Sequence, residues 1–495
     1  MHKKITFSKF LSFFLLIFLI SCTAAPTPVE NPTATIGVPP TIAPSPTATL
    51  PPTPTATPVP PLERAKYTLD TTIDYDAHTV TVDETILYPN LTGNQINTLV
   101  IAVVPNLWAG SFTLNSISID GTPTTTYSID GQRMDIALAS FVLPNEILTI
   151  DIQYSLVLPL IEETDPNVSR PRIFGYTKRQ TNLTNWYPFV VPYINGEWIL
   201  HEPWYYGEHL VYDSADFEVN LKFADPATAP VVASSGYPEP QADFTRYTIT
   251  AARTFVISAS REFQVAQTQV GDVLVSSYYY PLYDSAGQVV LQTVSESLLV
   301  FSDRFGPYSH RSLSVVMADF DDSMEFSGLF FHSPIYYNQF DGTTLNYLIF
   351  IAAHETSHQW WFDMVANDQA MQPWLDESLS TYSERIYYEV LHPDLVDDWW
   401  GYRINFFNPQ GFADIAIYDG QGFRPYTNAT YFQGAHFLEE LRTRIGDEAF
   451  FAFIKDYFAQ GRGKIVNTGD FFRILATHTT TDYSDIVRQY FQNIY

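Results

Sequence analysis

Two histidines one helical turn apart constrain this chain more than any other feature. The segment 347–362 reads YLIFIAAHETSHQWWF and contains no glycine or proline, so it is predicted to form one buried helix. His354 and His358 stand at positions i and i+4, and both imidazoles therefore leave the same face of that helix. The two rings either bind one ion together or are satisfied separately by hydrogen bonds in a protein core.

A glutamate further along the chain favours the first alternative. Glu377 follows His358 after 18 intervening residues and begins a second predicted helix, DESLSTYSERIYYEVL. This spacing lets the first helix end, the chain turn through NDQAMQP, and the second helix bring a carboxylate back to the imidazoles. Two neutral imidazoles and one carboxylate suit zinc, with a fourth position left open. Glu355 is angled away from such an ion and can accept a proton from an attacking water.

These phrases have a known counterpart. HETSHQWW followed by WLDESLSTYSE resembles the zinc metallopeptidases of the M1 aminopeptidase family, in which HExxH is followed at the same spacing by a glutamate in a WLNEG-like phrase. The resemblance implies that His354, His358 and Glu377 are ligands of one zinc ion and that Glu355 is the general base. It also implies a catalytic domain of the thermolysin-like type.

Positions around the third ligand differ mildly from the family pattern. Asp376 and Ser378 stand where asparagine and glycine are usual. Glu384 lies seven residues after Glu377 and so shares its helix face. A hydrogen bond from a ligand histidine to Glu384 and a surface salt bridge are both compatible with this position.

The resemblance implies two further site residues. DDSMEFSGLFF (321–331) resembles the family's GAMEN segment, and Glu325 takes the position of the glutamate that binds the substrate α-amino group. Phe326 replaces the usual asparagine there, and Asp322 with Ser323 replaces Gly-Ala. In NATYFQGAHFLEEL, Tyr431 matches the tyrosine whose phenol stabilises the oxyanion.

The segments before the helices indicate β structure. Alternation in ADFEVNLKF (215–223) and at Ile150, Ile152, Tyr154 and Leu156 is typical of half-buried strands. Asp-Gly pairs in SISIDGTP and YSIDGQRM predict hairpins. We expect an α+β protein: an antiparallel β-sandwich domain over 63–262, followed by the catalytic domain over 263–495. The catalytic domain should contain a small mixed sheet and then be mostly helical.

The first residues predict export. A basic start, an apolar run over 10–20 and the phrase LISC ending at Cys22, which is the single cysteine of the chain, resemble the signal peptide and lipobox of bacterial lipoproteins (1–22). Acylation of Cys22 would anchor the protein to the outer face of the bacterial cell membrane. An ordinary secretory signal is the alternative. Residues 23–62 are rich in proline and threonine and are predicted to form an extended, unfolded stalk.

The net charge and one further histidine-containing stretch bear on which partners and sites are expected. The formal net charge is -28 with no basic stripe, so no nucleic-acid partner is expected. His201, Glu202 and His209 in HEPWYYGEH fit neither a helix face nor a strand face, and we interpret this stretch as aromatic loop packing. The family usually continues into a helical C-terminal domain, whereas this sequence ends at Tyr495, so a more open site is expected.

The combined interpretation is a membrane-tethered zinc aminopeptidase that acts on peptides. An endopeptidase with the same metal is one alternative, because the segment 322–326 is altered. A catalytically silent surface module that binds peptides or glycans is another. The sequence does not predict the oligomeric state or the preferred substrate.

Overall fold

A computed structural model describes residues 62–162 and 173–495 of the chain. Cys22, the predicted signal peptide and all but the last residue of the predicted stalk lie outside the described residues. The described residues belong to one compact unit, Pro60–Tyr495, and the predicted boundary near residue 262 lies within it. That boundary stays a prediction.

The first part of the described chain consists of strands that form three principal sheets. In chain order the strands are β1 (Ala65–Asp74), β2 (Thr79–Pro89), β3 (Ile96–Ala102), β4 (Phe112–Ile119), β5 (Thr122–Pro123), β6 (Tyr127–Asp130), β7 (Arg133–Val142), β8 (Ile147–Val157), β9 (Gly175–Tyr176), β10 (Thr181–Leu183), β11 (Phe189–Val190), β12 (Tyr193–Ile194), β13 (Glu197–Trp198), β14 (Ala215–Phe223), β15 (Val231–Ser234), β16 (Tyr237–Pro240), β17 (Thr245–Ala252) and β18 (Ile257–Ser260).

The largest sheet has eight strands in the order β16-β17-β14-β1-β2-β8-β4-β5. Buried residues alternate along β8 and β14 as the sequence pattern predicted, because one face of this sheet covers a core. The sheets are antiparallel with one exception, since β1 pairs with β14 in parallel. The predicted α+β fold with a β-sheet region before the helices is confirmed, and this one parallel pair, which joins strands far apart in the sequence, is a local exception to the antiparallel pattern.

Both predicted Asp-Gly hairpins form. Asp120 and Gly121 connect β4 to β5 with positive φ angles of 48° and 72°, the conformation that a two-residue turn of this kind requires. Asp130 pairs with Arg133 at the end of the β6–β7 hairpin. The two Asp-Gly turns, which the sequence predicted, thus set the register of the β4–β5 and β6–β7 pairs.

The second part contains the smaller sheet and the helices. The five-stranded sheet has the order β19-β20-β21-β23-β22, mixes parallel and antiparallel pairs, and is accompanied by a separate two-stranded pair. Its strands and those of the pair are β19 (Gln264–Val270), β20 (Val273–Tyr279), β21 (Ser312–Met317), β22 (Met324–Phe326), β23 (Leu329–His332), β24 (Ala366–Asn367) and β25 (Ile465–Val466).

Helices surround this mixed sheet and carry most of the site. They are α1 (Asp284–Arg304), α2 (Pro334–Gln339), α3 (Tyr347–Ser357), α4 (Trp374–Leu391), α5 (Val396–Trp399), α6 (Phe423–Thr427), α7 (Gly434–Ile445), α8 (Asp447–Gly461), α9 (Thr468–Leu475) and α10 (Ser484–Tyr490). Two π-helical stretches, Trp400–Ile404 and Asn428–Gln433, continue α5 and α6. No helix within the described ranges is long and apolar enough to cross a bilayer.

The first site helix is shorter than its sequence predicted. Helix α3 ends at Ser357, and His358 is its C-cap residue. The chain then turns, with the Asp363 amide donating to the His358 carbonyl oxygen. His358 nevertheless keeps a helical backbone, and its amide donates to the His354 carbonyl over 3.3 Å, so the two imidazoles remain one turn apart.

Two apolar cores meet around a buried arginine. One core lies within the strands before residue 262 and the other between the mixed sheet and the helices. The Arg253 guanidinium donates to the carbonyl oxygens of Tyr212, Asp363 and Lys464, which belong to both parts. The contact between the cores is therefore fixed by a buried hydrogen-bond network as well as by apolar packing.

The first core also contains a buried carboxyl group, Glu84 on β2. Its side chain is 2% exposed, and neither oxygen has a hydrogen-bond partner among the described residues. Burial raises the pKa of Glu84 well above its ordinary value. The folded state therefore favours the protonated form, and the unfolded state releases that proton at a lower pH.

We predict that Glu84→Gln raises the free energy of unfolding at pH 8 by about 1–3 kcal/mol, because the amide, unlike the carboxyl, does not have to take up a proton on folding. A carboxyl whose folded pKa is raised loses its stabilising contribution as pH increases, so the gain should nearly vanish at pH 4. Guanidinium denaturation at both pH values measures this difference. Asp83→Asn, at the exposed neighbouring position, is the control. An equal effect of Glu84→Gln at both pH values would contradict the prediction.

Candidate active site

The three predicted metal ligands meet in the structure. Helix α3 presents His354, its C-cap presents His358, and the first turn of α4 presents Glu377. His354 Nε2 lies 3.2 Å from His358 Nε2 and 3.3 Å from Glu377 Oε2. His358 Nε2 lies 3.6 Å from the same carboxylate oxygen. All three residues are at most 3% exposed.

The triangle formed by these atoms fits a zinc ion. Zinc bonds of about 2.0–2.1 Å at tetrahedral angles place ligand atoms about 3.3–3.4 Å apart. The observed separations of 3.2, 3.3 and 3.6 Å bracket that value. Two nitrogen donors and one carboxylate oxygen also have the chemistry that zinc prefers in sites with an open position. The residues present therefore fit the metal in both geometry and type.

Glu384 fixes the orientation of His354. His354 Nδ1 donates to Glu384 Oε1 over 3.0 Å, so Nε2 is the nitrogen that faces the other ligands. Glu384 is fully buried on α4 and also accepts hydrogen bonds from Arg403 and from the Trp399 indole. Of the two positions that the sequence allowed for Glu384, the structure shows the contact with the histidine.

His358 is oriented in a similar way by the backbone. His358 Nδ1 donates to the Trp361 carbonyl oxygen over 3.0 Å, and the Ser380 hydroxyl lies 3.2 Å from the same nitrogen. The turn that ends α3 therefore has a direct use, since it brings that carbonyl oxygen to the ring. A helix continuing to residue 362 would point this carbonyl along the helix axis instead.

The charges around His354 are mutually dependent. Burial lowers the pKa of His354, but its hydrogen bonds to Glu377 and Glu384 outweigh burial and raise the pKa to about 10. Burial raises the pKa of Glu384, but Arg403 and His354 outweigh it and hold that pKa below its usual range. His354 thus lies between two carboxylates, one of which is already neutralised by an arginine.

Glu355 follows His354 on the helix and faces the cavity rather than the ligand triangle. One carboxylate oxygen of Glu355, one of Glu325 and one nitrogen of His358 lie within 4.8 Å of one another. Glu355 is 6% exposed and lines the same cavity as the ligands. This is the position from which a base reaches a water held near the ligands without replacing one of them.

Tyr431 lies on the other side of the ligands, in the π-helical stretch between α6 and α7. Its ring is parallel to that of His354, with centroids 5.9 Å apart. Burial raises the pKa of Glu377, while hydrogen bonds from His354 and Tyr431 to its carboxylate lower it. The phenol therefore reaches the ligand triangle. π-Helical turns of this kind often occur at functional sites.

Close packing of α4 against the segment 430–434 fixes the position of the Tyr431 backbone relative to the ligands. The Ser378 hydroxyl donates to the Thr430 carbonyl oxygen over 2.6 Å. A Cβ at Gly434 would lie 1.7 Å from Ser378 Oγ, so the two helices approach at a position that only glycine permits. Ser378, which differs from the residue usual in the family, thus occupies the space beside Gly434.

Glu325 lies on β22 at the edge of the mixed sheet and is held by an amide. Gln369 Nε2 donates to Glu325 Oε1 over 2.9 Å and also to Asp376 Oδ2 over 2.8 Å. Carboxylate oxygens of Glu325, Glu377 and Glu208 lie within 4.8 Å of one another. Burial, followed by the charges of Glu208 and Glu377, raises the pKa of Glu325 well above its ordinary value. This cluster favours a positively charged ligand.

Glu208 is a site residue that the sequence interpretation missed. It belongs to the loop 201–209, in which His201 contacts Asp368 at 2.9 Å and His209 contacts Gln132 at 3.4 Å. Neither histidine joins a metal-binding group among the described residues. Glu208, on which the sequence interpretation made no statement, lies in the same loop and reaches Glu325. No local spacing signals this contact.

Two cavities adjoin Glu325. A cavity of about 290 Å³ is lined by the ligands, Glu355, Tyr431, Arg403 and Arg424. A second cavity of about 160 Å³ is lined by Glu208 and by aromatic side chains that include Trp204, Tyr206 and Phe326. Phe326, which stands where the M1 family usually has asparagine, is therefore part of the apolar wall of the second cavity.

The comparisons with known proteins agree with this geometry. Residues 290–490 match the model of the Peptidase family M1 domain. This part of the chain includes every metal-ligand candidate. Residues 290–490 are therefore similar to an M1 peptidase domain, and structures named as M1 zinc metallopeptidases are among those that share the fold.

The curated relatives match only a limited stretch of this chain. Leucine aminopeptidase 2 of Coccidioides immitis is 28% identical over 133 residues, which is 24% of this chain and 21% of that protein. A leukotriene A-4 hydrolase homolog of Botryotinia fuckeliana is 25% identical over 143 residues, or 27% of this chain and 22% of that protein. The match thus spans about a fifth of the length of these relatives.

Solved structures match almost the whole fold. An M1 zinc metallopeptidase mutant from Deinococcus radiodurans has a TM-score of 0.64 at 18% identity, covering 88% of this chain and 95% of its own. Aminopeptidase A of Legionella pneumophila, solved with aspartic acid, has a TM-score of 0.62 at 16% identity, covering 86% of this chain and 49% of its own. At this identity the likeness shows the fold.

We predict that Glu384→Gln weakens zinc binding about 10- to 100-fold, because the amide cannot hold His354 as a carboxylate does. Competition with a chromogenic chelator at fixed pH measures the zinc affinity. Glu389→Gln is the matched control, since Glu389 lies on the same helix and bonds to Arg385 and Arg442 instead. Equal zinc affinity in wild type and Glu384→Gln would contradict the role given to Glu384.

Proposed function

We propose that this protein is a zinc-dependent aminopeptidase that removes N-terminal residues from peptides. The observation that carries the proposal is the acidic cluster beside the ligand triangle, in which carboxylate oxygens of Glu208, Glu325 and Glu377 lie within 4.8 Å of one another. A free α-ammonium group is the part of a peptide that such a cluster binds best. The matched relatives named as leucine aminopeptidases support the same activity.

We propose that the site holds a single zinc ion. His354, His358 and Glu377 together contain the two nitrogen donors that zinc prefers, whereas the group formed by Glu208, Glu325 and Glu377 is entirely carboxylate. We therefore assign the all-carboxylate group to the substrate amine and the group with two histidines to one zinc ion. A third group, formed by Glu325, Glu355 and His358, contains only one nitrogen donor and shares His358 with the zinc group. Zinc held there supplies Lewis-acid polarisation and lowers the pKa of a nearby water.

The side chains of this chain perform the proton transfers and the positioning. Glu325 and Glu208 hold the α-ammonium, which places the first peptide bond beside the ligand triangle. Glu355 removes a proton from the attacking water and returns a proton to the leaving amine. The Tyr431 phenol donates a hydrogen bond to the oxygen of the cleaved carbonyl as negative charge develops on it.

We predict that the purified protein hydrolyses aminoacyl 4-nitroanilides but not their N-acetylated forms, because acetylation removes the positive charge that the cluster binds. Glu355→Gln should lower kcat by about 100-fold or more, as expected when a general base is lost.

Glu208→Gln should lower kcat/KM about 10- to 100-fold, the range for a charge-assisted contact.

Glu202→Gln is the matched control for Glu208→Gln, since Glu202 lies in the same loop, is exposed and does not line either cavity. Its kcat/KM should equal that of the wild type. Comparable cleavage of acetylated and free-amine substrates would replace the aminopeptidase with an endopeptidase. Bound zinc without cleavage of any substrate would favour a silent binding module.

We also propose that the enzyme acts outside the cell, tethered by lipidated Cys22 to the bacterial membrane. The support is the sequence pattern that ends in LISC and the proline-rich stretch that follows it.

We predict that the full chain, expressed in a bacterium with labelled palmitate, incorporates the label and sediments with membranes. Cys22→Ser should lose both properties, because no other cysteine is present. Gel fluorography after fractionation provides the measurement. If Cys22→Ser remains in the membrane fraction as the wild type does, the tether is not this cysteine.

A further inference from the structure

An arginine lies in the wall of the metal cavity on a different element from the acidic cluster. Arg424 belongs to α6, lines the cavity of about 290 Å³ that contains the ligands, and has an exposed side chain. Its guanidinium carbon stands 4.3 Å from the centroid of the Phe407 ring. Stacking on Phe407 restrains the guanidinium plane and leaves its edge available for hydrogen bonds.

The charge of Arg424 is not balanced by the protein. Within 62–162 and 173–495, no carboxylate lies within ion-pair distance of this side chain. The nearby Arg403 differs, since two of its nitrogens donate to Glu384 at 2.8 and 2.9 Å. Of the two arginines in the cavity wall, Arg424 is thus the one whose bidentate donors remain for an anion.

The separation of Arg424 and Tyr431 along the chain is compatible with one kind of anion. Arg424 and Tyr431 are seven residues apart in a continuous helical run and both line the cavity. Two helical turns correspond to about 10 Å along the axis. An extended peptide advances about 3.3–3.6 Å per residue. An arginine side chain spans several ångströms, so this spacing is compatible with a guanidinium that meets a group one or two residues beyond the carbonyl that Tyr431 would contact.

We propose that Arg424 binds the free C-terminal carboxylate of the substrate, so that the site prefers dipeptides and tripeptides. This inference rests on the proposed aminopeptidase function. A short peptide carries an ammonium at one end and a carboxylate at the other. The cavity offers Glu325 for the first and Arg424 for the second, and its wall also includes the ligand triangle. Glu208 lies beside Glu325 in the adjoining cavity.

Calorimetric binding tests the proposal without catalysis. Zinc-loaded Glu355→Gln protein is titrated with Leu-Phe and Leu-Phe-Ala and with the C-terminal amides of both peptides. At least one acid should bind about 10- to 100-fold more tightly than its amide, the range for a charge-assisted bidentate contact. Adding Arg424→Gln should bring the acid-to-amide ratio to within about twofold of one. Equal binding of acid and amide before that change overturns the proposal.

Arg488→Gln is the matched control, because Arg488 is an exposed arginine on α10 and does not line the metal cavity. The acid-to-amide ratio should be the same with and without this substitution. A ratio that falls as much in Arg488→Gln as in Arg424→Gln would mean that overall charge, not a defined contact, sets the preference. That outcome also overturns the proposal.

Hydrolysis separates failure of this proposal from failure of the proposed function. Leucine 4-nitroanilide has no carboxylate, so its cleavage by the wild type tests the aminopeptidase alone. Cleavage of the anilide with equal kcat/KM for Leu-Phe and its amide rejects the role of Arg424 and keeps the aminopeptidase. Absence of all cleavage rejects the aminopeptidase, and the calorimetric ratio still decides whether Arg424 binds a carboxylate.

Discussion

The buried carboxylate of Glu384 is the group on which the rest of the site depends. It accepts one hydrogen bond from His354, one from Trp399 and two from Arg403, and it has no solvent exposure. Loss of either charged partner would leave an uncompensated charge in the interior, which is far more costly than loss of a surface pair. This network joins α3, α4 and the segment 396–404 and selects the histidine nitrogen that faces the metal position.

The local part of this arrangement could be predicted from sequence because helical spacing fixes it. His354 and His358 share a face through their separation of four residues, and Glu384 shares the face of Glu377 through a separation of seven. The hairpins at Asp120 and Asp130 were predictable for a similar reason, since turn residues act on their immediate neighbours. In each case the distance along the chain determines the distance in space.

Contacts between distant segments could not be read in this way. Glu208 reaches Glu325 from a loop more than one hundred residues earlier. Arg403 reaches Glu384 from a π-helical stretch, and the amino-acid composition of that stretch does not indicate a π-helix. The early end of α3 also depends on tertiary context, because the Trp361 carbonyl oxygen is used by the His358 ring. The parallel β1–β14 pair belongs to the same class, since its strands pair Ala65 with Ala215 across a long stretch of intervening chain.

The close approach of Ser378 and Gly434 has a consequence for how such a site changes over time. Because a Cβ at 434 would lie 1.7 Å from Ser378 Oγ, a side chain can enter position 434 only after position 378 has become smaller. The order of substitution therefore matters. If residue 378 changes first, the site stays intact, whereas a side chain introduced first at 434 displaces Tyr431. Homologous sequences should accordingly show these two positions changing together, with the residue on α4 altered before the residue on α7.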